Sequence, residues 1–170
     1  MIFDRNENKP VIALLGSGSM GTAIVRRIAA GKKILFGDIS EKNLQRVSEE
    51  FKRSGYDVET CIVNAMDKDS IEAFAAKAAS LGPVMYFIDT AGASPNQATP
   101  EHIVKLDMLG TGYAVDAFGK VMAKGGAGLL ISSQAAYMYP IPSKDELEIV
   151  NTPTEKRQGG QHKDCCRLHL

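Results

Sequence analysis

The chain has 170 residues, with 20 Lys plus Arg against 20 Asp plus Glu and no net charge, which argues against a nucleic-acid or anionic-membrane surface as its main partner. Its length predicts one domain, and 44% hydrophobic residues can build a core. No apolar run approaches the roughly 18 residues needed to cross a bilayer, and the start, "MIFDRNENKP", lacks a signal-peptide core. The three cysteines, Cys61, Cys165 and Cys166, make a poor disulfide framework, so a reduced, cytoplasmic setting is expected.

Residues 1–10 read as an N-terminal arm. "VIALLG", from Val11, is a short apolar run ending in glycine, as expected of a strand buried on both faces. Between Thr22 and Ala30, apolar Ala23, Ile24, Ile28 and Ala29 recur at helical spacing among Arg26 and Arg27, with Gly31 as a stop. "KILFGD" predicts a second strand. A charged amphipathic helix follows over 41–53, with Ser40 as N-cap and Leu44, Val47 and Phe51 on one face. "VETCIVN" predicts a third strand, and "DSIEAFAAKAASLG" a helix capped by Asp69 or Ser70 and ended by Gly82.

"PVMYFIDTAG" predicts a fourth strand and a glycine turn. From Thr99 as N-cap and Pro100 at the first helical position, one long helix is predicted through Gly126. Gly110, Gly112 and Gly119 inside it each weaken it by about 1 kcal/mol against alanine, so close packing is expected at them, and Lys120 and Lys124 are expected at its C-terminal end. "GAGLLISS" predicts a fifth strand. Strands alternating with helix-length crossovers predict a Rossmann-type doubly wound parallel α/β sheet of about five strands, order 3-2-1-4-5, over residues 11–136.

Residues 137–170 carry three prolines and no long apolar run. "SKDELEIV" has the spacing of a capping box from Ser143 to Glu146. His162, Cys165, Cys166 and His169 fit no standard zinc spacing, and no metal site is expected. Tyr137, Met138 and Tyr139 are expected to cover apolar surface, and His102 to lie on the surface of a first helical turn.

Gly16-Ser17-Gly18-Ser19-Met20-Gly21 matches G-x-G-x-x-G between a strand and a helix, with Asp38 closing the next strand. The glycines allow a tight turn, close backbone approach to a pyrophosphate, and helix–strand packing; the helix N-terminus offers N–H donors and partial positive charge. A purely structural glycine turn is the weaker reading in that context. Asp38 can accept two hydrogen bonds from adenosine ribose hydroxyls and repels a 2′-phosphate, which favours NAD over NADP. Arg26, Arg27, Lys32, Lys33 and Lys42 could soften that repulsion or form a solvated face.

At "DTAGAS" and "LLISSQAA" the chain resembles the short-chain dehydrogenase/reductase family, over roughly Val11 to Ala136. The resemblance implies a nicotinamide-dependent carbonyl/alcohol oxidoreductase and makes Ser133 the match to the family's catalytic serine. It places Ile39 beside Asp38, and Asn64 and Ala65 where the family carries an aspartate near the adenine. The family's Asn-Asn-Ala-Gly reads Asp89-Thr90-Ala91-Gly92 here, and Asp107 stands where the family usually has a helix asparagine. The family's tyrosine and lysine, four residues apart, are absent: Tyr56, Tyr86, Tyr113, Tyr137 and Tyr139 are followed at that distance by Thr60, Thr90, Ala117, Ile141 and Ser143. A serine without that pair lacks its base, so an inactive dinucleotide-binding or oligomerisation module is the alternative reading. The abrupt composition change from Glu155 suggests a frameshifted or truncated reductase. An open fifth strand would leave apolar surface uncovered, so a homo-oligomer is expected, with exchange of the tail one route to it.

Overall fold

Every residue of β1 (Val11–Leu15) is buried, because a central parallel strand is covered on both faces. The computed structural model describes residues 9–134 together with Met138, Ser143 and Lys144. β1 leads into α1 (Ser19–Ile28), followed by β2 (Lys33–Asp38), α2 (Glu41–Arg53), β3 (Asp57–Ile62), α3 (Lys68–Leu81) and β4 (Val84–Asp89). Then come a short helix α4 (Pro100–Ile103), a π-helical segment (Val104–Gly110), α5 (Thr111–Val121) and β5 (Met122–Leu130). The five strands are parallel in the order β3-β2-β1-β4-β5, as the alternation of strands and helices predicts.

Strand periodicity divides the core in two. Val11, Ala13 and Leu15 point to the face covered by α3 and α5, where Phe74 and Phe118 meet edge to face at 5.5 Å and Phe118 stacks on Phe87 at 3.8 Å. Ile12 and Leu14 point to the other face, where Val25 of α1 and Leu44, Val47 and Phe51 of α2 close over Ile34 and Phe36. The register aligns the carboxyl ends of the strands: Leu15 pairs with Gly37 and Asp89, Asp38 with Ile62, and Asp89 with Leu130. The chain reverses from strand to helix along that edge, so the loops after β1, β2 and β4 gather there.

Ser40 caps α2 by accepting from Asn43 N, and Thr99 caps α4 by accepting from His102 N with Pro100 behind it, both as expected. Several local expectations need correction. The cap of α3 is Asp67, not Asp69 or Ser70; its carboxylate accepts from Asp69 N. α1 starts at Ser19, and its buried residues are Gly21 and Val25, whereas Ala23 is exposed. The predicted long helix is α-helical only in part: it widens into a π turn around Asp107 and ends at Val121. Met122–Leu130 instead forms β5, pairing with β4 at Met122 and over 127–130 with a bulge between, so the fifth strand starts earlier than its apolar run and Lys124 lies in it rather than at a helix end. Met138 is 80% exposed and does not cover the core. Tyr137, Tyr139, most of the capping-box segment and the His/Cys tail lie outside the described residues. No group of metal-ligating side chains occurs among the described residues.

Close packing holds at one helical glycine and fails at another. A β-carbon on Gly110 would stand 2.5 Å from the Ala65 carbonyl oxygen, while one on Gly119 would meet nothing within 4 Å. Gly110→Ala is therefore expected to destabilise the chain by about 1–3 kcal/mol, and Gly119→Ala to stabilise it by up to about 1 kcal/mol. Thermal and urea unfolding of the two variants check the pair; equal effects would contradict the packing.

Candidate functional site

The glycine-rich turn is held by backbone contacts. Gly16 N donates to Gly37 O at 2.8 Å, Thr90 N to Leu15 O at 2.9 Å, and Thr90 Oγ1 to Gly16 O at 2.7 Å. Gly16 has φ +84°, and a β-carbon on it would stand 2.6 Å from Ala91 N, so both its conformation and its neighbours require glycine. Gly21 is buried against Leu14 and Thr90, which lets α1 lie close to β1. Gly18 faces open space: no protein atom stands within 4 Å of a β-carbon built there. Gly18 is also the N-cap of α1 and provides no side-chain cap, and the first turn carries no acid. The N–H groups of that turn are thus left for an anion.

A cleft of about 380 Å³ opens beside this turn. Of the residues singled out in the sequence, Gly16, Gly18, Asp38, Ile39, Asn64, Ala65, Thr90, Ala91 and Gly92 line it. Ser17 does not; it is fully buried, with its hydroxyl turned to Asp38. Ser19 and Met20 are exposed on the first turn of α1. Ser133 is exposed past the end of β5 and outside the cleft lining. Leu15, Asn43, Val63, Met66, His102 and Leu106 line the cleft without having been singled out as site residues. His102 is on the surface, as expected, but the surface is that of the cleft. The hydrogen bonds of Asn43 reach across to β1 and β2, and no periodicity marks them.

Asp38 is held by four donors. Its Oδ2 accepts from Ser17 N at 2.9 Å, Ser17 Oγ at 2.6 Å and Asn43 Nδ2 at 2.8 Å, and its Oδ1 from Ser40 N at 2.9 Å. Burial alone would raise its pKa, but these bonds outweigh burial and hold the carboxyl below its ordinary value. The nearby cations are engaged elsewhere. Arg26 pairs with Glu50 and lies over the Phe51 ring, Arg27 donates to Ala23 O, and Lys32 donates to Ala30 O. None of these, nor Lys33 or Lys42, lines the cleft.

Two more carboxyls lie at the β4 end of the site. Asp89 is 4% exposed and accepts from Ala91 N at 3.0 Å. Asp107, in the π turn, accepts from Ala93 N at 3.0 Å and so ties that turn to the loop after β4. Burial raises the Asp89 pKa to about 6, against a lowering by the Ala91 N–H and with a further rise from Asp107. Burial also raises Asp107, opposed by the Ala93 N–H and His102.

A glycine turn entering an uncapped helix at the β1/β4 switch point, faced by an acid closing β2, is the layout of a Rossmann-type doubly wound α/β domain. The short chain dehydrogenase family model matches residues 10–143, and the chain belongs to that family. It is 40% identical over 130 residues to a short-chain dehydrogenase/reductase of Alternaria brassicicola, covering 76% of this chain and 47% of that protein. It is 30% identical over 139 residues to an NADP-dependent mannitol dehydrogenase of Hypocrea jecorina, covering 77% and 47%. The chain thus spans about half the length of these curated relatives. A short-chain type dehydrogenase/reductase from Mycobacterium ulcerans superposes with a TM-score of 0.68 at 17% identity, over 77% of this chain and 54% of that one, and shares the fold.

The buried Asp89 carboxyl gives a signed expectation. A folded-state pKa of about 6 against an ordinary 3.8 means that the folded chain holds this proton more tightly than the unfolded chain does. That stabilisation is complete below pH 3.8 and is lost as pH rises through about 6, by about 3 kcal/mol in all. Asp38 acts in the opposite sense, its contribution being lost as pH falls, so the test is a difference between two proteins. Asp89→Asn keeps an acceptor for Ala91 N–H and removes the titration. Urea unfolding should show the variant gaining on the wild type between pH 4 and 7; a gap that does not change with pH would refute this.

Proposed function

We propose that the cleft binds the adenosine and pyrophosphate half of NAD(H), and that the chain is of nicotinamide-dependent oxidoreductase type, acting on a carbonyl or an alcohol. The observation that carries this reading is the Gly16–Gly21 turn entering α1 without a side-chain cap, with open space at Gly18 and the Asp38 carboxylate across the cleft. The pyrophosphate would sit on the N–H groups of α1, and the adenosine ribose against Asp38. Ile39, 65% exposed, would flank the adenine with Asn64 and Ala65. Asn64 Oδ1 already accepts from Met66 N, which leaves its amide N–H₂ to face the base. The bound cofactor supplies or accepts the hydride.

NAD is favoured over NADP because the cleft presents a carboxylate and no cation where a 2′-phosphate would lie. The mannitol dehydrogenase relative is NADP-dependent by name, so cofactor preference is the point to measure. Ser133 is the candidate catalytic hydroxyl, but no tyrosine of the 170 residues has a lysine four positions on. The family resemblance assigns proton transfer to that tyrosine–lysine pair rather than to the serine alone. The chain as written is therefore proposed to hold the cofactor without turning it over, and an inactive dinucleotide-binding or oligomerisation module is the second reading. A cytoplasmic setting goes with either reading; it is supported by the poor disulfide framework of Cys61, Cys165 and Cys166. No helix among the described residues is long and apolar enough to cross a membrane.

NADH fluorescence titration with a turnover assay on a panel of small carbonyls tests the reading. Saturable NADH binding is expected, weakened roughly tenfold by Asp38→Ala, with no turnover. Failure to bind would overturn the dinucleotide reading, and robust turnover the inactive one. Assembly is a separate expectation. Among the described residues β5 is an edge strand, and Leu129, Leu130 and the following Ile131 are exposed at 41–43%, so the chain is proposed to form a homo-oligomer. Light scattering that shows only a monomer would count against it.

A further inference from the structure

Asn43 has no assigned role, yet its side chain joins three parts of the site. Nδ2 lies 2.8 Å from Asp38 Oδ2, 3.0 Å from Ser17 Oγ and 3.2 Å from Ser17 O. The amide is oriented from its other end, where Oδ1 accepts from Arg46 at 2.7 Å. That leaves Nδ2 to face the turn, while Asn43 N is fixed on the Ser40 cap. Ser17 Oγ passes the interaction on, accepting from Asn43 and donating to Asp38 at 2.6 Å.

The donor count at Asp38 gives this arrangement a consequence. A carboxylate offers about four acceptor sites, two on each oxygen. Oδ2 already takes three donors, so it has nothing left for a ligand. Oδ1 takes only Ser40 N and retains one open site. Asp38 can thus accept one ribose hydroxyl through Oδ1, rather than the two that an unencumbered carboxylate would take.

We propose that Asn43 is a positioning residue for cofactor selection: with Ser17 it occupies Asp38 Oδ2 and fixes Oδ1 as the single oxygen that reads the adenosine ribose. This rests on the dinucleotide reading above. A carboxylate held in one orientation keeps its charge where a 2′-phosphate would come; one free to rotate can turn away from it. Loss of Asn43 therefore weakens NADH and relaxes the exclusion of NADPH, although Asn43 itself need not touch either cofactor.

The test compares Kd for NADH and for NADPH in the full chain and in Asn43→Ala and Asn43→Leu; the second keeps the bulk and removes both polar ends. The expected result is a fall of roughly tenfold in the preference for NADH over NADPH. Ser17→Ala and the Ser17/Asn43 double variant should shift the preference by less than the sum of the single effects, because both act through Asp38. An unchanged preference, or equal weakening of both cofactors, would overturn the proposal while leaving the dinucleotide reading intact. A wild-type chain that binds neither cofactor would overturn both.

Discussion

The site depends on a backbone-to-backbone contact between the turn after β1 and the end of β4. Gly16 lies so close to Thr90 and Ala91 that even a methyl group would overlap main-chain atoms, and hydrogen bonds to β2 and β4 hold it there. The contact has two consequences. It fixes where α1 starts, because the chain has only Ser17 and Gly18 in which to leave the sheet before the helix begins at Ser19. It also joins the carboxyl ends of three adjacent strands, so the cleft has a floor that side-chain motion does not deform. A site for a long flexible ligand gains from such preorganisation, because less ordering remains to be done on binding.

The centre of the sheet and its β5 edge differ in how they are covered. β1 and β2 are covered on both faces, which is why their sequences are continuous apolar runs. β5 pairs with β4 at Met122 and again over 127–130 across a bulge, and Leu129, Leu130 and the following Ile131 are exposed. The composition that builds the centre of the sheet is thus left partly exposed at the end of β5.

Much of this fold is legible in the sequence because its signals are local. α2 runs over the predicted residues, since Ser40 supplies a cap and Leu44, Val47 and Phe51 a clear stripe. The strand order follows from the alternation of elements and the place of the glycine turn. Legibility fails where several residues offer the same local signal or where tertiary pairing decides. Asp67, Asp69 and Ser70 can each cap a helix, and it is the Asp67 carboxylate that accepts a backbone N–H of the first turn. Met122 to Gly126 can continue a helix by composition, but Met122 pairs with Val84 of β4 and the residues after it bulge before the ladder resumes at Ala127. In the site, the glycines and Asp38 carry a pattern. Asn43 does not: on its own helix it is one more polar residue, and its part follows only from the meeting of α2 with the turn after β1.

The polar groups of the cleft show the same economy of placement. Where the family usually has amides, this chain has carboxyls at Asp89 and Asp107, and each accepts an N–H from the loop after β4. An amide oxygen could do that as well, without the cost of a buried charge. The two acids therefore bring something an amide cannot, a group that can lose or hold a proton, beside the loop after β4. Asp38 is kept ionised by four donors, while Asp89 and Asp107 are pushed toward their neutral forms by burial. Similar side chains thus acquire opposite protonation tendencies through the number of N–H and O–H groups that the loops direct at them. The uncapped helix turn offers positive potential beside the Asp38 carboxylate.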